Sequence, residues 1–373
     1  MSVIPTPMPS PSPAALGDIS GSLLTYTLPD DYLQLNDVYD VDNFGPQLVY
    51  VDLYGEHGGI GKTVWLIDLA TGQRIALNQP EASVGTLGPR ISSDDVVWSA
   101  DDPMADGRLR WRVMHYQISS GKTEVIDQGV NARKEDGSPS APATALDAGL
   151  VAYTVESPTD AWPYGWKIDV RRLSDGSVER EIQTRYSVWD LTIQNGNVLY
   201  SEVAPEESGD NAAGLMLSTT AHPEPVQVAD NGSDVAIDGQ RLVWAGVANF
   251  AVNTPVMGQG VYTATFDDLT PIRLSQPTPS ESGGRHPAAG NGLVTWMEPS
   301  PAWDNLYMWD SQTGRTYQIA GQHDSMAHRY ATYLSNIAGG WLTWSVTLAT
   351  DTEELSQFAG ITTDDLRAAE PVP

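Results

Sequence analysis

A chain of 373 residues with 20 basic and 48 acidic side chains carries a formal charge of −28, which argues against nucleic acid and anionic membrane faces, both of which are held by lysine and arginine. Cysteine is absent, so neither disulfides nor thiolate chemistry contribute. With 34 glycines and 26 prolines the chain is punctuated too often for long helices, and 12 tryptophans and 15 tyrosines suit many short strands.

The chain begins with Ser2-Val3-Ile4-Pro5-Thr6-Pro7-Met8-Pro9-Ser10-Pro11-Ser12-Pro13. Residues 1–16 are therefore expected to form an extended, semi-rigid tail or tether rather than core. Spacers of this composition hold a domain away from a membrane anchor. That sets an extracytoplasmic expectation (periplasmic, cell-surface or secreted), with the signal or anchor outside this sequence; an ordinary disordered tail is the alternative. No apolar run approaches the ~18 residues of a membrane span, so no direct insertion is expected.

From residue 17 to 373 a single all-β domain is expected, because one short pattern recurs along it. A Gly, Asp or Asn turn leads into an apolar strand that ends in Trp or Tyr. The copies close on Tyr50, Trp98, Tyr153, Tyr200, Trp244, Trp296 and Trp344, at separations of 48, 55, 47, 44, 52 and 48 residues. After each copy comes a polar loop and an alternating strand that runs into a glycine turn, as in Trp65-Leu66-Ile67-Asp68-Leu69-Ala70-Thr71-Gly72 and Leu306-Tyr307-Met308-Trp309-Asp310-Ser311-Gln312-Thr313-Gly314. Each unit supplies about four strands, and a lone four-stranded sheet leaves one face bare. Radial blades cover each other's faces, which predicts a seven-bladed β-propeller of four-stranded antiparallel blades, with six or eight blades as alternatives.

A Gly/Asp turn before Val-Val-Trp, followed by Asp-x-x-Thr-Gly, resembles the TolB-type (WD-like) β-propeller repeat of exported bacterial proteins over residues 40 to 366. The resemblance implies the fold and an exported setting. Ile19-Ser20-Gly21-Ser22-Leu23-Leu24-Thr25-Tyr26 copies the first pattern half a blade before Tyr50. Residues 19–27 are therefore expected to complete the last blade and close the ring.

In a propeller the loops between second and third strands, and between blades, share one face around the central channel, and binding residues concentrate there. Trp162, Tyr164, Trp303 and Asp304 fall in such loops, and aromatic faces beside carboxylates suit a sugar. The alternative is that Trp162-Pro163-Tyr164 packs its own loop. Among the histidines, His286, His323 and His328 are assigned to the same face, beside Arg285 and Arg329. Converging there, they would supply metal ligands, or a general base with an anion clamp.

His57-Gly58-Gly59-Ile60-Gly61-Lys62-Thr63 looks like a phosphate loop, but such a loop must open a helix, and the residues that follow read as a strand. No Gly-x-Ser-x-Gly elbow and no His-Glu-x-x-His occur. No cofactor is predicted; calcium at Asp101-Asp102-Pro103-Met104-Ala105-Asp106-Gly107, or a transition metal at the histidines, is the open alternative.

The leading expectation is a monomeric, non-catalytic propeller that binds a protein or glycan through its loop face. The alternatives are a polysaccharide-active, lyase-like enzyme with the His/Arg cluster at the channel, and a lectin-like glycan sensor.

Overall fold

The computed structural model describes residues 14–15, 19–28, 38–52, 63–79, 85–131, 141–163, 165–204, 213–246, 260–275, 284–299, 304–320, 329–349 and 354–369. It is a seven-bladed β-propeller. Two short N-terminal strands, β1 (Ala14–Ala15) and β2 (Leu24–Thr27), precede the first blade. Blade 1 is β3 to β6 (Val38–Phe44, Gln47–Asp52, Thr63–Asp68, Gln73–Ala76), and blade 2 is β7 to β10 (Gly85–Ser92, Asp95–Pro103, Leu109–Gln117, Lys122–Asn131). Blade 3 is β11 to β14 (Thr144–Asp147, Leu150–Glu156, Trp166–Arg172, Val178–Gln183), and blade 4 is β15 to β18 (Ser187–Gln194, Asn197–Val203, Ala213–Ser218, Val226–Ala229).

Blade 5 is β19 to β22 (Ser233–Asp238, Arg241–Gly246, Gly260–Thr265, Ile272–Arg273), and blade 6 is β23 to β26 (Arg285–Gly290, Leu293–Pro299, Asp304–Asp310, Arg315–Ala320). Blade 7 takes three strands from the end of the chain, β27 to β29 (Arg329–Ala338, Trp341–Ala349, Glu354–Thr362), and its outer strand from the beginning. There β2 runs antiparallel to β29, with Tyr26 opposite Phe358 and the Gln357 amide donating to the Thr27 hydroxyl at 2.7 Å. β1 reaches one blade further and pairs in parallel with β26, Ala14 opposite Tyr317. A single-turn helix not foreseen in the sequence, α1 (Thr363–Ala368), ends the described chain. It buries Leu366 in the core cluster of the last blade junction.

The seven repeated aromatics are the packing unit. Tyr50, Trp98, Tyr153, Tyr200, Trp244, Trp296 and Trp344 all lie on second strands and are at most 5% exposed. Each sits in a different hydrophobic cluster, and each cluster fills one junction between neighbouring blades. Trp98, for instance, packs on Val49, Val51 and Val64 of blade 1, and Tyr50 on Phe358 of blade 7 with ring centroids 5.4 Å apart. A pleated strand sends alternate side chains to opposite faces, so a fixed aromatic position within each unit reaches the same junction every time.

Polar side chains then stitch the blades together around the hairpin turns. The last residue of several innermost strands accepts a turn N–H of the following blade: Ser92 from Ala148 at 3.2 Å, Asp147 from Asn195 at 2.6 Å, Gln194 from Gly239 at 2.6 Å and Asp238 from Gly292 at 2.7 Å. Two of these four acceptors are carboxylates, so part of the acidity at this face is structural.

Candidate functional site at the central channel

The innermost strands surround a channel cavity of ≈ 850 Å³. Six of these seven strands are interrupted by a register shift against the second strand, between Tyr39 and Asp42, Leu87 and Arg90, Val188 and Leu191, Ser233 and Ala236, Arg285 and Ala288, and Ala331 and Ser335. A bulge adds a residue without a pairing partner and re-aims its side chain. Innermost strands start at the loop face and end at a hairpin turn, so these bulges stand in the loop-facing part of the channel.

The bulges carry the chemistry. Trp189 and Asp190 occupy the bulge of blade 4, Asp234 that of blade 5 and His286 that of blade 6, while Arg90 follows the Gly88-Pro89 bulge of blade 2. Asp234 and His286 adopt φ of 49° and 50°, a conformation that non-glycine residues take rarely and that clusters at functional sites. A chain of contacts links three blades: the Asp234 N–H donates to Asp190 Oδ2 at 3.1 Å, and the His286 N–H donates to Asp234 Oδ2 at 3.3 Å. The His286 ring also approaches the same oxygen, with Nδ1 at 3.5 Å.

Charges in this wall are set by burial and by each other. Burial pushes the Asp190 carboxyl above its ordinary value, and the neighbouring Asp234 charge pushes it further. Burial also raises Asp42, against the pull of Arg90. For Asp234 burial is outweighed by the His286 hydrogen bond and charge and by Arg285, so its carboxyl falls below the ordinary range.

Two groups in the cavity are not consumed by these contacts. Arg90 feels both Asp42 and Asp190, yet among the described residues its guanidinium makes no ion pair within 4 Å; Nη1 donates to the Pro89 carbonyl at 2.9 Å. Trp189 lines the same cavity and is 67% exposed.

Of the residues singled out in the sequence, the structure brings His286 to the channel wall, while Arg285 beside it does not line the cavity; both are on strand β23 rather than in the loop expected for them. Trp162 is exposed, in a loop whose backbone is closed on itself: its N–H donates to the Thr159 carbonyl at 3.1 Å and its carbonyl accepts from Gly165 at 2.9 Å. Asp304 opens β25, where its backbone pairs with Ala331 of blade 7. Tyr164, Trp303, His323 and His328 lie outside the described residues, as do the side chains of Asp304 and Arg329.

Asp101 and Asp102 belong to strand β8, Asp102 lies 3.6 Å from Arg110, and Asp106 pairs with Arg108 at 2.8 Å. Among the described residues no group of three His, Asp or Glu side chains is arranged to hold a metal. Residues 57–62 are outside the described set, and Thr63–Asp68 behind them is strand. Among the described residues no helix is long and apolar enough to cross a membrane.

Sequence reading missed Asp42, Arg90, Trp189, Asp190 and Asp234. For Asp190 and Asp234 a signal was present: with Asp40 and His286 they stand four residues before the end of an innermost strand. Aligning the seven units on their turns exposes that polar column.

No protein-family model matches the sequence, and no curated protein does. Solved structures do match. The β-propeller domain of the Trilobed protease from Pyrococcus furiosus, described as having an open velcro topology, superposes with a TM-score of 0.58 at 11% identity over 86% of this chain and 96% of that one. An acylaminoacyl peptidase gives 0.56 at 14% identity; the match covers 86% of this chain and 52% of the peptidase, so this chain spans about half of it. Oligogalacturonate lyase from Vibrio parahaemolyticus gives 0.54 at 12% identity over 92% of this chain and 98% of that one. Identities this low carry the fold alone.

Proposed function

We propose that this protein is a non-catalytic binding propeller, acting as a monomer, that engages a glycan or protein partner at the loop-facing mouth of its channel. The observation that carries the reading is Trp189. A bulge of the innermost strand holds this indole 67% exposed on the cavity wall. Leaving so large an apolar surface in water is unfavourable, and exposed aromatics held on a rigid scaffold mark contact sites. Arg90 supplies hydrogen-bond donors in the same cavity. The proline-rich stretch 5–13 supports an extracytoplasmic setting, since that composition serves as a spacer.

A glycan array and a displayed peptide library, each probed with the wild-type protein and with a Trp189→Ala, Arg90→Ala double variant, test this reading. Hits that lose affinity roughly tenfold or more in the variant are expected. Hits indifferent to both changes would place recognition elsewhere and sink it.

A second reading, a polysaccharide-active enzyme, draws on His286 beside Asp234 in a fold shared with an oligogalacturonate lyase. Depolymerisation of a uronate polymer by the wild type, lost in His286→Ala, would put it first.

A further inference from the structure

The channel wall narrows the choice of ligand. Among the described residues five aspartates line the cavity, Asp42, Asp190 and Asp234 along its wall and Asp147 and Asp238 at its hairpin end, against one arginine and one histidine. Each of these carboxylates already accepts a hydrogen bond from the protein. Asp42 takes the Ile91 N–H at 2.8 Å, Asp190 the Asp234 N–H, Asp234 the His286 N–H, and the other two cap turns of the next blade. They remain hydrogen-bond acceptors with spare lone pairs, fixed in place by the blades. Arg90 is the converse, a group with several unspent N–H donors and no ion-paired partner among the described residues. Trp189 offers an apolar face in the same space.

Donors, fixed acceptors and an aromatic face within one cavity suit a ring that carries hydroxyls around its edge and C–H groups on its face. A hydroxyl both donates and accepts, so it can bridge between a guanidinium and a carboxylate without adding charge. An anionic ring would meet the aspartates, and taking a like charge into a partly desolvated site is costly. A cationic ring would be drawn to the aspartates, but it would face the Arg90 charge and leave the Arg90 donors unspent. We infer that the channel mouth holds one residue of an uncharged saccharide, its face on Trp189 and its hydroxyls between the Arg90 guanidinium and the Asp190 carboxylate. This rests on the binding reading above and gives it a ligand class.

Isothermal titration with three probe sets tests the inference: neutral gluco-, manno- and galacto-oligosaccharides, oligogalacturonates, and lysine-rich peptides with chitosan oligomers. Binding is expected in the neutral set, weakened roughly tenfold or more by Trp189→Ala and by Arg90→Met. Arg90→Lys is expected to recover part of the loss, since the charge returns without the planar fork. Circular dichroism and unchanged melting midpoints for the variants exclude misfolding as the cause.

Preference for oligogalacturonates or for the cationic probes, with the same dependence on Trp189, would overturn the saccharide assignment and leave the binding reading standing. Neutral-sugar binding indifferent to Trp189 and Arg90 would overturn both. Absence of binding to all three sets would also overturn the inference, and the peptide library then decides the broader reading.

Discussion

Glu202 is the side chain whose ionisation most plainly opposes the fold. It stands on β16 in blade 4, 8% exposed, and burial lifts its carboxyl to about 7, with the Arg185 N–H and charge pulling the other way. A carboxyl raised in the folded state contributes stability below its unfolded value, and that contribution is lost as pH climbs from the ordinary carboxylate range through about 7. Glu202→Gln keeps an acceptor for Arg185 and removes the charge. It is expected to leave the melting midpoint near pH 5 little changed and to raise stability near pH 8 by up to about 3 kcal/mol, read by denaturant titration at both pH values. A flat difference between the two would contradict the burial argument. Asp234 works in the opposite sense: its lowered carboxyl adds stability above the ordinary range and gives it up as the solution turns acid.

At the scale of the strand, bulges and close approaches decide what the blades do. Gly290, the last residue of β23, lies so close to blade 7 that an added Cβ would stand 2.4 Å from the Ile337 carbonyl oxygen. Gly290→Ala therefore forces the two innermost strands apart, with an expected cost of about 1–3 kcal/mol in urea unfolding. Asp238→Ala takes the acceptor from the Gly292 N–H in the same turn region and is expected to cost about 1–3 kcal/mol. These devices were poorly legible in the sequence. Alternation and glycine turns mark strands, but a bulge shifts the register by local geometry, and the side chain it presents is fixed only when two strands pair. Trp189 and Asp190 thus read as ordinary members of an alternating run, Ser187–Gln194. His286 was assigned to the loop face, whereas it stands in a strand; proline opposes a paired interior strand, and the bulge at His286-Pro287 accommodates it. Trp162 drew attention by its loop position, while its loop is held by its own hydrogen bonds.

For the molecule as a whole, the blade count was legible because one aromatic per unit fills one junction. The spacing of Tyr50 through Trp344 is the sequence image of seven packing clusters, and none of the seven blades can bury both faces alone. Removing one such ring, as in Trp244→Ala, is expected to cost about 3–5 kcal/mol and to lower the single unfolding midpoint rather than split it, because the junctions share one ring. Closure follows the same logic. β2 supplies the outer strand of blade 7 and β1 extends to blade 6, so the N-terminal segment straps two blades. Deleting residues 1–30 is expected to lower the calorimetric midpoint sharply; an unchanged midpoint would mean that the ring holds without its strap.

The strand pattern carried the scaffold but not its ligand, since the loops that frame the mouth vary without period and the channel groups come from six different blades. A direct comparison of two exposed tryptophans tests the channel assignment. Trp189→Ala and Trp162→Ala are titrated side by side with the tightest glycan or peptide found for the wild type. The channel account predicts a loss of roughly tenfold or more for Trp189→Ala and wild-type affinity for Trp162→Ala. The reverse order would move recognition out to the loop between the second and third strands of blade 3 and contradict it.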